Sequence, residues 1–572
     1  MFMTLKVYFE QQMQNVLREL DYPCENAMVT ASNRPEISDY QSNVAMSLAK
    51  VARKAPVQIA QEIKAQLEKN PAFAKVSVDG PGFINISFSD EFLSDISNIE
   101  KFSNKKVVID YGGPNIAKEM HVGHLRSAII GESIKRIMRF CGDEVIGDVH
   151  FGDWGTPIGM LISQLQSEQP ELFENEINID TFSMSISEIS DLYRRASAHF
   201  KADDDFKEQA RVATFDLQNG NQSYRKLWKI LRDKSVEAVK ENYDKLDVVF
   251  DMWLGESDTN DLLPIVVDEL LEKKIAQYSN GAVIVPMPDV NGKERAPLIL
   301  KKSDGAYTYA ATDLATIKQR QADFSPDVIL YVVDARQKEH FEQVFTVARL
   351  GGFVNSNVSM EHIAFGTVNG TDGKPFKTRD GNVMNLKDLI DLSEEKAAEN
   401  IADDNQNDEL QTQIHQIAIG SLKFQDLKNL RTSNYIFDTE NFTKSEGKTG
   451  AYIQYAVARI NSILEKAGQA ADKKEIKISH VLERDVMLQL HRFSEAMQQS
   501  YANREPSVLC DYLHCLSQKF SSLYAELPVN GEPNEELRNS RISLLTLVKT
   551  TLETGLNLLG IEAPERMSKR KL

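Results

Sequence analysis

The residues best placed by type and spacing to do chemistry are the run His121-Val122-Gly123-His124. It follows a short apolar stretch, Val107-Val108-Ile109, and a turn-rich segment, Tyr111-Gly112-Gly113-Pro114-Asn115. It opens a segment with apolar residues at Leu125, Ile129, Ile130, Ile134, Ile137 and Met138 that stops before Gly142. That pattern predicts strand, turn and helix. A helix N-terminus presents unpaired N–H groups and the positive end of the helix dipole, which suits a phosphate. Gly123 lets a nucleotide lie close to the backbone. Two imidazoles three residues apart share a face and can donate hydrogen bonds to phosphate oxygens as charge develops in a displacement. For an isolated match, two capping or core histidines are the better reading; the strand–turn–helix context favours nucleotide chemistry.

Other candidates fall at the ends of predicted strands, where open α/β sheets bind ligands. Asp110 ends one such strand, and Gln337 lies in the loop Asp334-Ala335-Arg336-Gln337 after another. Tyr309 and Asp313 are four apart in Tyr307–Arg320, a helical stretch after the Asp304-Gly305 turn, so they share a face. Taken singly, Asp313 can equally pair with a surface lysine and Tyr309 can equally be core. The segment 369–382 carries three glycines (Gly370, Gly373, Gly381), two lysines (Lys374, Lys377) and Arg379, and it reads as a mobile cationic loop for phosphates.

The elements that must position these residues fall into four stretches. Residues 1–100 read as a small α+β unit, with helical periodicity over Leu5–Leu20 and Val44–Leu67 and strands at Lys75–Val78 and Phe83–Phe88. Residues 101–385 read as a doubly wound parallel sheet, with strands at Val107–Ile109, Glu144–Val149, Val328–Val333 and Ile363–Phe365 alternating with helices. A largely helical, charged insertion at about 165–300, with a strand at Ala282–Val285, divides that sheet into halves. Residues 386–445 form a helical connector, and 446–572 form an all-helical end.

Length and composition set the outer bounds. A chain of 572 residues exceeds a single core. No run of about 18 apolar residues can span a bilayer, and the first residues lack a secretory pattern, so a cytoplasmic protein is expected. Cys24, Cys141, Cys510 and Cys515 are scattered without a CxxC pair, which predicts reduced thiols and no structural zinc. The net charge of −18 argues against a general nucleic-acid binder, so any RNA contact requires a local basic strip, expected on the N-terminal unit and the helical end.

Several blocks together resemble the arginyl-tRNA synthetases, a class I family. The segment from Asp110 through Asn115 and Lys118 to His121-Val122-Gly123-His124-Leu125-Arg126 is similar to the family's first signature, the HIGH element. Gly152-Asp153-Trp154-Gly155-Thr156 with Gly159-Met160 resembles its next block. Ile37-Ser38-Asp39-Tyr40-Gln41-Ser42-Asn43 resembles the appended N-terminal domain that contacts the tRNA elbow. Gly450–Arg459 and Leu558–Met567 resemble the helical anticodon-binding domain.

The resemblance implies ATP, with Mg²⁺, at His121, Gly123, His124, His340 and Lys377. It implies catalytic roles for His121, His124, Lys118, Lys377 and Arg379. It places the guanidinium side of L-arginine on Asp110, Tyr309 and Asp313 and its backbone groups on Asn115 and Gln337. Contacts to tRNA(Arg) fall on Tyr40, Gln41, Asn43, Tyr452, Gln454, Tyr455 and Arg459, although Tyr452 and Tyr455 at helical spacing can equally be core. Loop 369–382 departs from the family's KMSK pattern because Pro375 stands at the first lysine's position, and Lys118 is the residue that would compensate. Met567-Ser568-Lys569 reads as a solvated tail, not a second signature.

The implied reaction forms arginyl-adenylate and then arginyl-tRNA, the first step commonly needing bound tRNA. No editing site is expected and a monomer is expected. A short nucleotidyltransferase, an RNA-binding relative without activity and another class I synthetase are the rivals.

Overall fold

The computed structural model describes residues 4–95, 101–174, 179–288, 295–370, 372–374, 376, 384–401, 408–468 and 475–567. At the N-terminus, β1 (Val29–Ala31), β2 (Tyr40–Ser42), β3 (Phe73–Asp79) and β4 (Phe83–Phe88) form an antiparallel sheet in the order β1-β2-β4-β3. The helical periodicity over 44–67 resolves into two helices, Val44–Ala52 and Pro56–Leu67. Arg53 takes a left-handed φ of 52° between them, and Pro56, which has no N–H to give a preceding turn, starts the second.

The central sheet is parallel throughout. Its strands are β5 (Lys106–Tyr111), β6 (Glu144–Asp148), β10 (Val328–Val332) and β11 (Ser359–His362), in the order β11-β10-β5-β6. The chain winds from β5 to β6 in one direction and later from β10 to β11 in the other. The boundary between β5 and β10 is therefore a topological switch point, where a crevice opens at the carboxyl ends of the strands. The strand expected at Ile363–Phe365 lies earlier, at Ser359–His362. Residues 363–365 only continue its line, with the Ile363 N–H donating to Tyr331 O and Phe365 bridging Asp334.

Between the halves stand helices Thr156–Glu168, Ile186–Ala202, Asp204–Gln218 and Gln222–Lys245, then a short 3-10 helix, Glu256–Leu262, and helix Leu263–Glu272. A three-stranded antiparallel sheet follows, β7 (Gln277–Ser279), β8 (Ala282–Val285) and β9 (Leu298–Lys301). Helix Tyr309–Phe324 then returns to the central sheet. Helices Leu386–Glu399 and Asp408–Leu427 lead to five more, Gly450–Ala467, Val481–His491, Phe493–Asn503, Ser507–Glu526 and Glu535–Leu558. Among the described residues no helix is long and apolar enough to cross a membrane.

The N-terminal unit docks on the helical end. Arg484 grips both carboxylate oxygens of Asp39 (Nη1–Oδ1 3.0 Å, Nη2–Oδ2 2.7 Å) and donates to Phe88 O. Leu488 completes the unit's apolar core.

Candidate active site

Helix Val122–Cys141 is capped by the two histidines themselves. His121 Nδ1 accepts from Gly123 N at 3.0 Å, and His124 Nδ1 accepts from His121 N at 3.1 Å. Their rings lie 4.0 Å apart. Burial, and then the nearby Lys118 ammonium, lowers the pKa of His121; burial, His121 and Lys118 together push His124 down to about 3. Both rings are therefore neutral at pH 7. Because each Nδ1 is an acceptor, each neutral ring carries its hydrogen on Nε2. Capping thus fixes the tautomer and turns both imidazoles into hydrogen-bond donors. The capping role and the ligand role set out as alternatives for these residues are compatible. Lys118 stacks on Tyr193, 4.4 Å from its ring centre, and lines a cavity of about 230 Å³ beside this end with Asn385 and Lys387.

The helix is pinned to the switch point by Ser127, whose Oγ accepts from Gly112 N and donates to Val332 O, both at 2.7 Å. Gly112 has φ +70°, and a Cβ there would meet the Tyr243 hydroxyl at 2.9 Å. Asn115, exposed, bridges Gly152, and Gln337 is exposed at the start of helix Lys338–Gly351.

An acidic cluster gathers at the start of helix Tyr309–Phe324. Asp313 Oδ2 and His340 Nε2 are 2.5 Å apart; burial alone would lower the His340 ring, but the bond to Asp313 raises it. His340, expected at the nucleotide, is thus brought to the residue expected at the guanidinium. Tyr309 stands one helical turn before Asp313, and burial pushes its hydroxyl up to about 12, with Glu256 adding to the shift.

Glu256 was not among the residues singled out from sequence. Burial, then the Asp313 carboxylate, pushes its carboxyl up to about 8. The block Gly152–Thr156 holds it in place. Glu256 N donates to Phe151 O (3.0 Å), Ser257 donates twice to Asp153, and Trp154 Nε1 donates to Asn260 Oδ1 (2.9 Å). No periodicity or short spacing links Glu256 to Asp313, so only the fold could reveal it.

Asp110 has a partner within the chain. Its Oδ2 accepts from Arg320 Nη2 at 2.7 Å, and the same nitrogen donates to Asp148 Oδ2 at 2.7 Å. The carboxylate expected to receive a substrate guanidinium already holds one from the chain. His150, with φ +26°, lies within 3.4 Å of both Asp148 Oδ2 and Thr316 Oγ1. Asp110, Asp148 and His150 have the donor types and proximity of a metal site, and Arg320 Nη2 donates to one oxygen of each carboxylate.

Family comparisons match this arrangement along the whole chain. Residues 90–439 match the model for "tRNA synthetases class I (R), catalytic domain", 453–567 the DALR anticodon binding domain, and 4–88 the arginyl tRNA synthetase N terminal domain. An arginine–tRNA ligase of Francisella tularensis is 41% identical, with 99% of this chain and all of the relative covered. One from Alkaliphilus oremlandii is also 41% identical, with 97% and 98% covered. The chain belongs to the arginyl-tRNA synthetases. It has the fold of the arginyl-tRNA synthetase structures from Plasmodium falciparum (TM-score 0.82, 25% identity, 99% and 100% covered) and Thermus thermophilus (TM-score 0.80, 24% identity, 98% and 100% covered).

The residues expected at tRNA in this synthetase divide sharply. Tyr40 is fully buried, its hydroxyl donating to Glu495 across the domain junction, and Gln454 is fully buried, donating to Gln416 O and Glu562 O. Neither side chain is offered to RNA, because β2 and helix Gly450–Ala467 turn them inward. Gln41 and Asn43 are half-buried. Tyr452 packs on His514 and Ser521. Arg459 is exposed and sits 4.6 Å over the Tyr524 ring; with Tyr455 and Lys466 they line a cavity of about 240 Å³. Met567 lines it too and packs on the cluster around Ile401 and Ile414, so it is not part of a solvated tail. Lys377, Arg379, Ser568 and Lys569 lie outside the described residues.

Proposed function

We propose that this chain activates L-arginine with ATP and joins it to the 3′-terminal ribose of tRNA(Arg). One feature supports the reading: the helix after β5 starts with neutral imidazole donors, and the helix leading into β10 starts with the acidic Tyr309–Asp313–Glu256 cluster. A ligand with a phosphate at one end and a guanidinium at the other fits that polarity, because a guanidinium is a fixed fork of donors that pairs with carboxylates.

In the first step the arginine carboxylate attacks the ATP α-phosphorus and pyrophosphate leaves. His121 and His124, through Nε2–H, stabilise the developing charge, with Gly123 allowing close approach. Asp313, Glu256 and Tyr309 hold the guanidinium, and Asn115 and Gln337 hold the substrate's amino and carboxyl groups. Asp110 supports the pocket from below. Mg²⁺ supplies charge neutralisation on the phosphates. Lys118, Lys377 and Arg379 are the cations assigned to those phosphates, and His340 orients Asp313. In the second step the tRNA ribose hydroxyl attacks the adenylate carbonyl and AMP leaves.

The aromatic and cationic cavity at Tyr455, Arg459 and Tyr524 suits a splayed anticodon base, and Gln41 and Asn43 belong to the elbow contact. A cytoplasmic monomer, divided at about 100, 385 and 445, completes the reading.

ATP–pyrophosphate exchange tests it, run with arginine, lysine or glutamine, with and without unfractionated tRNA. Exchange with arginine alone, rising with tRNA, is expected. Folded protein with no exchange under any condition would overturn the reading and favour an RNA-binding relative.

A further inference from the structure

One face of helix Gln222–Lys245, at Trp228, Arg232, Ser235 and Tyr243, is bonded to the loops that bear the site; spacings of four, three and eight keep these residues on one side. Tyr243 donates to Gly112 O, and Ser235 Oγ accepts from Ala117 N at 3.0 Å, so the two bracket Asn115. One to two turns earlier, Trp228 Nε1 donates to Asp153 O and Arg232 Nε to Asp153 Oδ2, both at 2.8 Å. Asp153 is fully buried and both its oxygens are engaged, Oδ2 by Arg232 and by Ser257 Oγ (2.7 Å), Oδ1 by Ser257 N (2.9 Å).

Ser257 is the residue after Glu256. On the other flank, Gly255 N donates to Asp258 Oδ2 at 2.8 Å, and Arg232 Nη2 lies 3.6 Å from that same oxygen. The packing is close, because a Cβ on Gly255 would meet Asp153 Oδ1 at 2.6 Å. Both neighbours of Glu256 are thus held by carboxylates, and one guanidinium, 20% exposed, joins those carboxylates. The titratable and charged groups around Glu256 are Asp313 and Tyr309 from helix Tyr309–Phe324, Asp153 and His150 from the segment after β6, and Asp258 on its own segment; Arg232 stands behind Asp153 and His340 beside Asp313. A buried carboxylate stripped of its cation is an uncompensated charge. We propose that Arg232 is a positioning residue for arginine recognition: by bridging Asp153 and Asp258 it holds Glu256 toward Asp313 and keeps the carboxylates beside it from acting as uncompensated charge. The proposal rests on the arginine reading above, in which Glu256 and Asp313 receive the substrate's guanidinium. Arg232 itself acts through Asp153 and does not touch the substrate.

The test is arginine-dependent exchange by the full chain with tRNA present, for wild type, Arg232→Ala and Arg232→Lys, over about one pH unit either side of about 8, where Glu256 titrates. Removing one partner of a buried charge pair strands the other, so Arg232→Ala is expected to raise the KM for arginine by roughly tenfold or more at the low end of that range while kcat falls less. A stranded negative charge also disfavours ionisation of a neighbouring carboxyl, so the fall of KM with pH should move to higher pH. A lysine keeps the charge but not the fork, so Arg232→Lys should restore the position of the pH profile while its KM stays above wild type. Should Arg232→Ala fail to fold, as a thermal melt would report, Arg232→Gln takes its place. A wild-type KM in a folded variant, or a KM raised by one factor at every pH, would overturn the proposal. A wild-type chain without arginine-dependent exchange, or with an arginine KM that does not fall as pH rises, would instead overturn the reading on which the proposal rests.

Discussion

The two ends of the crevice are built in opposite ways. The end assigned to the phosphates is local: His121, Gly123 and His124 sit on one turn of one helix, their donors fixed by bonds to their own backbone. The end assigned to the guanidinium is assembled: Glu256 comes from the short helical segment Glu256–Leu262 within the insertion, Asp313 and Tyr309 from a later helix, His340 from another, and the Gly152–Thr156 block clamps Glu256 from a third direction. The local end is stable in its protonation, with both rings held neutral. The assembled end is poised, because Glu256 is raised to about 8. A nucleotide's phosphates are common to a whole class of enzymes and can be met by a transferable motif. The side chain that sets one amino acid apart is met by groups that only the complete fold brings together.

Breaking the local end should cost the most. His124→Ala is expected to lower kcat for exchange by roughly 10²-fold or more, since one preorganised donor to developing charge is lost. The lost cap should cost only about 1 kcal/mol of stability, measurable by thermal melt. Arginine KM should change little.

Breaking the assembled end should reverse that split. Asp313→Asn is expected to raise arginine KM by roughly 30-fold, about 2 kcal/mol for a charge-assisted bond, with a smaller effect on kcat. Steady-state exchange kinetics separate the two.

A milder perturbation is pH. The raised Glu256 carboxyl is protonated below about 8, and a bound guanidinium favours its ionised form. Arginine KM should therefore fall as pH rises toward about 8, by up to roughly tenfold per unit, and then level off. Glu256→Gln should flatten that profile.

The smallest effect on exchange is expected outside the crevice. Arg484→Ala removes the grip on Asp39 and should loosen the N-terminal unit by roughly 1–3 kcal/mol. Tryptic cleavage after the exposed Lys101 should accelerate, with exchange nearly unchanged and charging of tRNA reduced.

The contrast also explains what could be read from sequence. The parallel sheet and the His121 helix follow from apolar runs and period, which are local signals. The break at Arg53 was legible in principle from Pro56, but the unbroken apolar period hid it. Tyr40 and Gln454 sat inside recognisable blocks, and a block does not say which of its faces looks inward. Asp110 was placed correctly at the strand end, yet its partner lies 210 residues away, and nothing short-range announces such a pair. Glu256 was lost in a charged insertion for the same reason.

The most direct measurement is calorimetric titration of arginine into the full chain at pH 7, repeated in buffers of different ionisation enthalpy to count protons. The account predicts that arginine binding releases most of one proton and that Glu256→Gln abolishes the release. Binding with no proton exchange, or a release that survives Glu256→Gln, would contradict the assignment of the guanidinium to the Tyr309–Asp313–Glu256 pocket.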